Sequence, residues 1–346
     1  MSRESRESAN GPTEDRPTNV RMPYLSRWFI TTMIFGIGGA LLLSYLILDA
    51  AVTSSLNERL RPNHVIDLAS PPVSPSLAVQ AREESGETLS VAIAPVVSPK
   101  KSLEMYGDLI DYLARKTDRY PSFLQGPSYA AVNELVRYQR CDMALICTYA
   151  YVRGEQEFGM DIIAIPMIDG KTTYQSYIIV PESSQVTSLL DLRGQRFASS
   201  DFMSNSGWLY PVTWLLDQGE SYHRFFGNHE ITGSHDYSIL AVSQGYVDGA
   251  AVDSIIYERM TKENPEVLAR TKIIQQSQPF GMPPLVVHPD IDSTLKEELY
   301  GVLISMHLDE EGEKTLASLG IDRFVNPNLE DYEDVRRAVK IVDGHE

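Results

Sequence analysis

Between Trp28 and Leu48 the chain runs for 21 residues without a charge. As a helix this stretch is about 31 Å long, which matches a hydrocarbon core of about 30 Å. It is read as one N-terminal transmembrane helix, spanning 28–51, that places the residues on its two sides in different compartments. Arg16, Arg21 and Arg27 precede it, so the positive-inside bias puts the N-terminus in the cytoplasm and everything after residue 52 outside. The run is long for the apolar core of a cleaved leader, and no clear small-x-small site follows. An uncleaved signal anchor in the inner (cytoplasmic) membrane is therefore expected. The Gly36-Ile37-Gly38-Gly39 cluster lies inside this run and is helix-packing material rather than a nucleotide signal.

The flanks have different characters. Residues 1–27 are polar, aperiodic and expected to be disordered. Residues 52–87, with Pro62, Pro71, Pro72 and Pro75 among Ser and charged residues, read as a linker that stands the body off the membrane. The remaining residues, about 260, suit two lobes better than one small core. The net charge of −17 belongs almost wholly to this body. Acidity of that kind argues against nucleic acid and anionic lipid surfaces as partners. An anion would have to be held by local donors and dipoles rather than by a global field. Cys141 and Cys147 flank an expected strand, about 20 Å apart and beyond disulfide reach, so neither a disulfide nor a Cys-based metal framework is expected.

Strand and helix alternate through the body. Leu89–Ala94 is a compact apolar strand, and Ser98-Pro99 caps a helix carrying Leu103, Tyr106, Leu109, Ile110 and Leu113 at helical spacing. Further strands are expected at 122–125, 143–147, 161–167 and 174–180, then at 195–199, around 272–274 and at 285–288. This pattern predicts an α/β fold with helices on both faces of its sheets. Val247-Asp248-Gly249-Ala250 echoes Cys141-Asp142-Met143-Ala144, so the lobes read as two copies of one plan. Their expected limits are 88–175 with 278–346 for lobe 1, and 176–277 for lobe 2. Two crossings between lobes make a hinge, and a ligand would sit in the cleft at the carboxyl ends of the strands.

Two turns stand out as sites. Phe202-Met203-Ser204-Asn205-Ser206-Gly207-Trp208 follows a strand and opens an apolar helical run. A helix start has N–H groups without intrahelical partners and a positive dipole end, to which Ser204, Asn205 and Ser206 add side-chain donors. Ordinary N-capping explains the same residues. Thr232-Gly233-Ser234-His235-Asp236 is a second turn of this kind, and two such turns can face one ligand.

Taken together, Val91-Ala92-Ile93-Ala94-Pro95 with Ser98-Pro99, Ser128-Tyr129, Asp191-Leu192-Arg193-Gly194, Ser204-Asn205-Ser206-Gly207, Ser234-His235-Asp236 and Phe280-Gly281-Met282-Pro283-Pro284 resemble the phosphate/phosphite/phosphonate-binding family of ABC-importer binding proteins, over roughly residues 88 to 340. The resemblance implies a two-lobed type II periplasmic-binding-protein fold that clasps a small phosphorus oxyanion, with no enzymatic activity and no cofactor. It implies ligand-binding roles for Tyr129 and Tyr149 from lobe 1 and for Ser204, Asn205, Ser206 and His235 from lobe 2. Convergent Tyr, Ser and His donors suit a desolvated oxyanion because charge-assisted bonds are the strong ones.

Where family members that bind aminoalkylphosphonates place carboxylates for the amine, this chain aligns Ile255 and Pro283. That departure points to phosphate, phosphite or a simple phosphonate. Asp253 is nearby and either replaces the missing carboxylates or accepts a proton from a protonated oxyanion.

The implied partner is an ABC permease, or a membrane sensor to which the closed form is presented. Other readings are open on residue types alone. Tyr149, Tyr151, His235 and Asp253 imitate a ferric-iron set, and Ser206, His235 and Asp236 imitate a hydrolase triad, although Gly-x-Ser-x-Gly and His-Glu-x-x-His motifs are absent from the sequence.

Overall fold

The computed structural model describes residues 87–345; the expected membrane helix at 28–51 and the segments flanking it lie outside these residues. Among the described residues no helix is long and apolar enough to cross a membrane.

The chain enters through strand β1 (Thr88–Ile93) and helix α1 (Pro99–Lys116). Pro99 fills the first helical position, where a missing N–H costs nothing. Tyr106, Leu109, Ile110 and Leu113 turn inward at the expected spacing. Then come β2 (Tyr120–Gln125), α2 (Tyr129–Arg137), β3 (Met143–Leu145), α3 (Thr148–Phe158) and β4 (Asp161–Met167).

A two-residue strand, β5 (Thr173–Tyr174), leads to β6 (Ser176–Pro181), β7 (Arg196–Ser199), a π-helical turn (Asn205–Leu209), α4 (Tyr210–Asp217) and α5 (Tyr222–Phe225). After these stand β8 (Asn228–Ile231), α6 (His235–Ser243), β9 (Gly249–Asp253), α7 (Ser254–Glu263), α8 (Pro265–Arg270) and β10 (Thr271–Gln276). The return runs through β11 (Phe280–Gly281) and β12 (Leu285–Val287) to α9 (Ser293–Ser305), α10 (Glu310–Leu319), β13 (Arg323–Val325) and α11 (Glu333–Asp343).

These strands build two main sheets. One has six strands in the order β13-β4-β12-β3-β1-β2, the other five in the order β10-β6-β9-β7-β8. Both are mixed: β1 runs parallel to β2 and β3, and β7 parallel to β8 and β9, whereas β12 and β6 enter antiparallel. The two crossings pair with each other, β5 against β11. The result is a two-lobed α/β periplasmic-binding-protein architecture with a two-stranded ribbon at its waist.

The stretch 174–180 does not form one strand. It breaks at Gln175, where backbone donors leave the ladder for side chains: the Gln175 N–H bonds Ser254 Oγ at 3.0 Å and the Ser176 N–H bonds Ser277 Oγ at 2.8 Å. The chain thereby changes sheets at a point where no backbone donor is left unsatisfied. Strand β13 carries a single fully buried residue, Phe324, too little periodicity to be read in advance.

The two parallel units are copies in detail. In the first, Asp142 accepts the Ser90 N–H at 2.7 Å and returns its own N–H to the Ser90 carbonyl at 2.8 Å. In the second, Asp248 does the same with Arg196, at 3.0 and 2.9 Å. Each pair is separated by 52 residues, so the Asp seen in both copies pins the start of the third strand to the first.

Candidate functional site

The turn after β7 gets its shape from backbone bookkeeping. Ser204 is its N-cap and accepts the Gly207 N–H at 3.0 Å. The next turn is wider than an α-helix, with the Leu209 N–H on the Ser204 carbonyl and the Tyr210 N–H on the Asn205 carbonyl. Continuing that pattern would ask residue 211 to donate to Ser206, but residue 211 is proline. The Ser206 carbonyl is satisfied from outside instead, by Ser176 Oγ at 2.6 Å. Gly207 is required here because a Cβ would run into Ser200 Oγ, Ser204 Oγ and the His235 ring.

His235, the first residue of α6, is fully buried beneath this turn. Its Nδ1 accepts the Asp253 N–H at 3.1 Å, so Nε2 carries the hydrogen, pointing between the hydroxyls of Ser200 (3.3 Å) and Ser204 (3.2 Å). Burial pushes its pKa down to about 3, which keeps the ring neutral. Ser204 Oγ thus receives the Gly207 N–H and faces Nε2–H, and its own hydrogen is left to donate. Both ring nitrogens of His235 have protein partners, and the ring orients the Ser204 hydroxyl.

Asp253 ends β9 and caps α7, with Oδ1 accepting from the N–H groups of Ile255 (2.7 Å) and Ile256 (3.3 Å). Burial raises its pKa to about 7 against the opposing pull of those two bonds, so near neutrality it is poised to hold a proton.

Lobe 1 supplies the other wall. Tyr129 is fully buried and its hydroxyl has no hydrogen-bond partner; the Ser206 hydroxyl is in the same condition. Burial holds the Tyr129 phenol well above its usual pKa, so it remains an O–H donor. Its N–H reaches across to Asp201 Oδ2 at 3.2 Å. Asn205 faces lobe 1: its N–H meets Cys147 Sγ at 3.2 Å and its amide donates to the Tyr174 hydroxyl at 3.1 Å. Tyr149 stacks on Trp208, centroids 6.2 Å apart, and its hydroxyl accepts from Arg153 at 3.1 and 3.2 Å.

The lobes are held together around this site. The His235 N–H bonds the Val96 carbonyl at 2.9 Å, the Ser98 N–H bonds Asp236 Oδ1 at 2.9 Å, and Lys101 pairs with Glu263 at 3.3 Å.

The structure brings Tyr129, Ser204, Asn205, Ser206, His235 and Asp253 to one interlobe cluster and places Tyr149 on its aromatic wall. Ser200, Asp201, Cys147 and Tyr174 belong to it as well. Ser200-Asp201 directly precede the turn and could have been included on position alone, whereas Tyr174 enters only because the strand breaks beside it.

The imitations of other sites do not assemble. Ser206 is not bonded to His235, and Asp236 Oδ1 serves Ser98 and Ser234 rather than the imidazole. Tyr151 donates to Glu155 at 2.6 Å. Among the described residues no group of three or more His, Cys, Asp or Glu side chains could hold a metal ion.

Two lobes, two crossings and a polar cluster buried between them define the class as a two-lobed substrate-binding protein. Residues 91–332 match the model of a family described as ABC transporter, phosphonate, periplasmic substrate-binding protein, and the chain belongs to that family, whose members are binding proteins rather than enzymes.

Among curated relatives, it is 29% identical over 185 residues to the phosphate-import protein PhnD of Mycolicibacterium smegmatis, covering 50% of this chain and 58% of that protein. It is 22% identical over 185 residues to a probable ABC transporter phosphite binding protein, PhnD1, of Prochlorococcus marinus, covering 50% and 62%. The match thus spans less than two thirds of either relative. The fold is shared with a binding protein component of an ABC phosphonate transporter from Pseudomonas aeruginosa (TM-score 0.68, 21% identity, 72% of this chain and 85% of that one). It is shared equally with PhnD1 of Prochlorococcus marinus in complex with methylphosphonate (TM-score 0.67, 18% identity, 74% and 98%).

Proposed function

We propose that this protein is a membrane-anchored, extracytoplasmic binding protein that captures a small phosphorus oxyanion, namely phosphate, phosphite or a simple phosphonate, between its lobes for an ABC permease. One observation carries the reading. A buried hydroxyl without a partner costs about 1–3 kcal/mol, yet Tyr129 of one lobe and Ser206 of the other each hold one. Donors left unpaired on both sides of a cleft are what an absent acceptor would satisfy.

Ser204 adds a hydroxyl whose hydrogen is directed away from its two donors, and the start of the π-helical turn adds a positive dipole end. The curated relatives that import phosphate or bind phosphite support the same ligand class. A protonated Asp253 donates to such an anion, and an ionised one accepts from a protonated anion.

The 21-residue uncharged run at 28–48 supports the anchor. A ligand of four or five heavy atoms, at a ceiling of about −1.5 kcal/mol each, gains about −6 to −8 kcal/mol, a micromolar-range dissociation constant.

Calorimetric titration of the full-length protein in detergent with phosphate, phosphite, methylphosphonate, 2-aminoethylphosphonate and sulfate tests this reading. Micromolar binding of a phosphorus oxyanion with rejection of the amine-bearing ligand is expected. Absence of heat with all five would overturn it.

A further inference from the structure

The aromatic wall of the seat is tied to the last helix of the chain. Tyr149 of α3 and Trp208 of the π-helical turn are both buried, and their rings lie 7° from parallel with centroids 6.2 Å apart. This is an offset stack between a residue of lobe 1 and a residue of lobe 2, so it exists only while the lobes are together. Trp208 belongs to the backbone of the seat, since its N–H donates to the Ser204 carbonyl at 3.1 Å. A shift of the Tyr149 ring is therefore passed to the Ser204–Ser206 turn.

A tyrosine ring pivots about two side-chain torsions unless its far end is fixed. Arg153, one helical turn further along α3, fixes it. Its Nε and Nη2 donate to the Tyr149 hydroxyl at 3.2 and 3.1 Å, and its guanidinium carbon stands 5.4 Å from the ring centroid. The guanidinium is held in turn from its other edge, where Nη1 donates to Asp343 Oδ2 at 2.9 Å and Nη2 to Asp343 Oδ1.

Asp343 ends α11, and α11 packs against α3 of lobe 1 and against α4 and the π-helical turn of lobe 2. Arg336 fastens it to Glu155 of α3 through bonds of 2.7 and 2.6 Å, while Val335, Val339 and Val342 are buried in the core cluster that includes Trp208, Leu209 and Val212. A half-exposed ion pair adds little stability by itself. Arg153 does more than pair: one edge of its planar fork meets a carboxylate and the other a phenol, a geometry that a lysine cannot supply.

We propose that Arg153 is a positioning residue for ligand capture, which acts through the Tyr149 hydroxyl to set the ring plane on which Trp208, and with it the Ser204–Ser206 turn, docks when the lobes close. The inference rests on the oxyanion reading and adds to it a chain of contacts, Asp343 to Arg153 to Tyr149 to Trp208, that joins the C-terminal helix to the seat.

The test is a double-mutant cycle on the full-length protein in detergent, with methylphosphonate as the ligand in calorimetry and tryptophan emission and melting temperature recorded beside it. Arg153→Lys keeps the charge opposite Asp343 and loses the fork. It should weaken methylphosphonate binding by about tenfold, the worth of one lost hydrogen bond, shift tryptophan emission to the red, and leave the melting temperature of the ligand-free protein unchanged. In a Tyr149→Phe background, which keeps the ring and removes the acceptor, Arg153→Lys should have no further effect on affinity. Asp343→Asn, at the exposed end of the chain of contacts, should weaken binding by about threefold and keeps the test valid should Arg153→Lys fold poorly.

Unchanged affinity in Arg153→Lys and Asp343→Asn, with methylphosphonate still bound by the unaltered protein, overturns the positioning role alone. So does an equal loss from Arg153→Lys in both backgrounds, which would show that Arg153 does not act through the Tyr149 hydroxyl. Failure of the unaltered protein to bind any phosphorus oxyanion overturns the oxyanion reading and this role with it.

Discussion

The two lobes repeat one frame at a constant offset of 106 residues (248 less 142, 235 less 129, 253 less 147) and differ in what stands at the equivalent positions. Ser98 and Ser204 cap the helical segment after the first strand of each copy; Tyr129 and His235 open the helix after the second; Cys147 and Asp253 cap the helix after the third.

Two helix starts of lobe 1 receive protein carboxylates from lobe 2, Asp236 on the Ser98 N–H and Asp201 on the Tyr129 N–H. The start at Asn205 in lobe 2 receives a thiol from lobe 1, Cys147 Sγ, besides its own cap Ser204 Oγ, and carries the unpaired Ser206 hydroxyl. Lobe 1 thus takes carboxylates from lobe 2 at two of its helix starts, whereas the Asn205 start of lobe 2 takes none from lobe 1. On the reading proposed above, the same backbone serves a latch in one place and a seat in the other because of which side chains face it.

The comparison breaks most visibly at Gly207. Gly207→Ala should push Ser200, Ser204 and His235 apart, abolish oxyanion binding in calorimetry, and lower stability by about 1–3 kcal/mol in denaturant titration. Retained affinity would show that the hydroxyl cluster is not the seat.

A second effect separates the copies by pH. His235 has a folded pKa of about 3 against an ordinary 6.5, so the unfolded chain binds the extra proton, and stability is lost as pH falls from about 6.5 toward 3. Asp253 works in the opposite direction. Its folded pKa of about 7 lies above an ordinary 3.8, so stability is lost as pH rises from about 3.8 through 7. The two slopes, each up to about 1.4 kcal/mol per pH unit, oppose one another between about pH 4 and 6.5. Asp253→Asn should unmask the acid-side loss, so that melting temperature drops more steeply between pH 6.5 and 4. His235→Gln should reverse the trend. In lobe 1 the equivalent residues are Tyr129 and Cys147, whose ordinary values already lie above this window and which burial raises further.

A smaller effect sharpens the latch. Asp236→Ala removes the acceptor for the Ser98 N–H and should weaken ligand affinity by roughly 1–2 kcal/mol, with a larger radius of gyration for the ligand-free protein in solution scattering. An unchanged radius would mean that the lobes close without it. Smallest of all, Cys147→Ala leaves the Asn205 N–H without its sulfur partner and should cost about 1 kcal/mol in denaturant titration.

Much of this was legible beforehand where the signal is local. β4 falls on residues 161–167 as read, and the Ser204 turn and the His235 helix start stand where strand, polar turn and apolar run succeed one another. The orientation of His235 was not legible, because its partners lie 18, 31 and 35 residues away and only the packed fold brings them to opposite sides of one ring. Tyr149 shows the opposite case. Arg153 stands one helical turn further on in the same helix, so the bond between them follows from an i,i+4 spacing visible in the sequence. The break at Gln175 depends on side chains from distant segments, Ser254 and Ser277, and no periodicity announces it.

The central claim is that the unpaired hydroxyls of Tyr129 and Ser206 are ligand donors facing one another from the two copies. Methylphosphonate titrated calorimetrically into the unaltered protein and into the Tyr129→Phe/Ser206→Ala double variant tests it most directly, with melting temperatures measured alongside. Loss of about 2–5 kcal/mol of binding with an unchanged or raised melting temperature in the ligand-free protein is the predicted result, since the variant removes only groups that lack partners when no ligand is bound. Equal affinity of the two proteins would contradict the account.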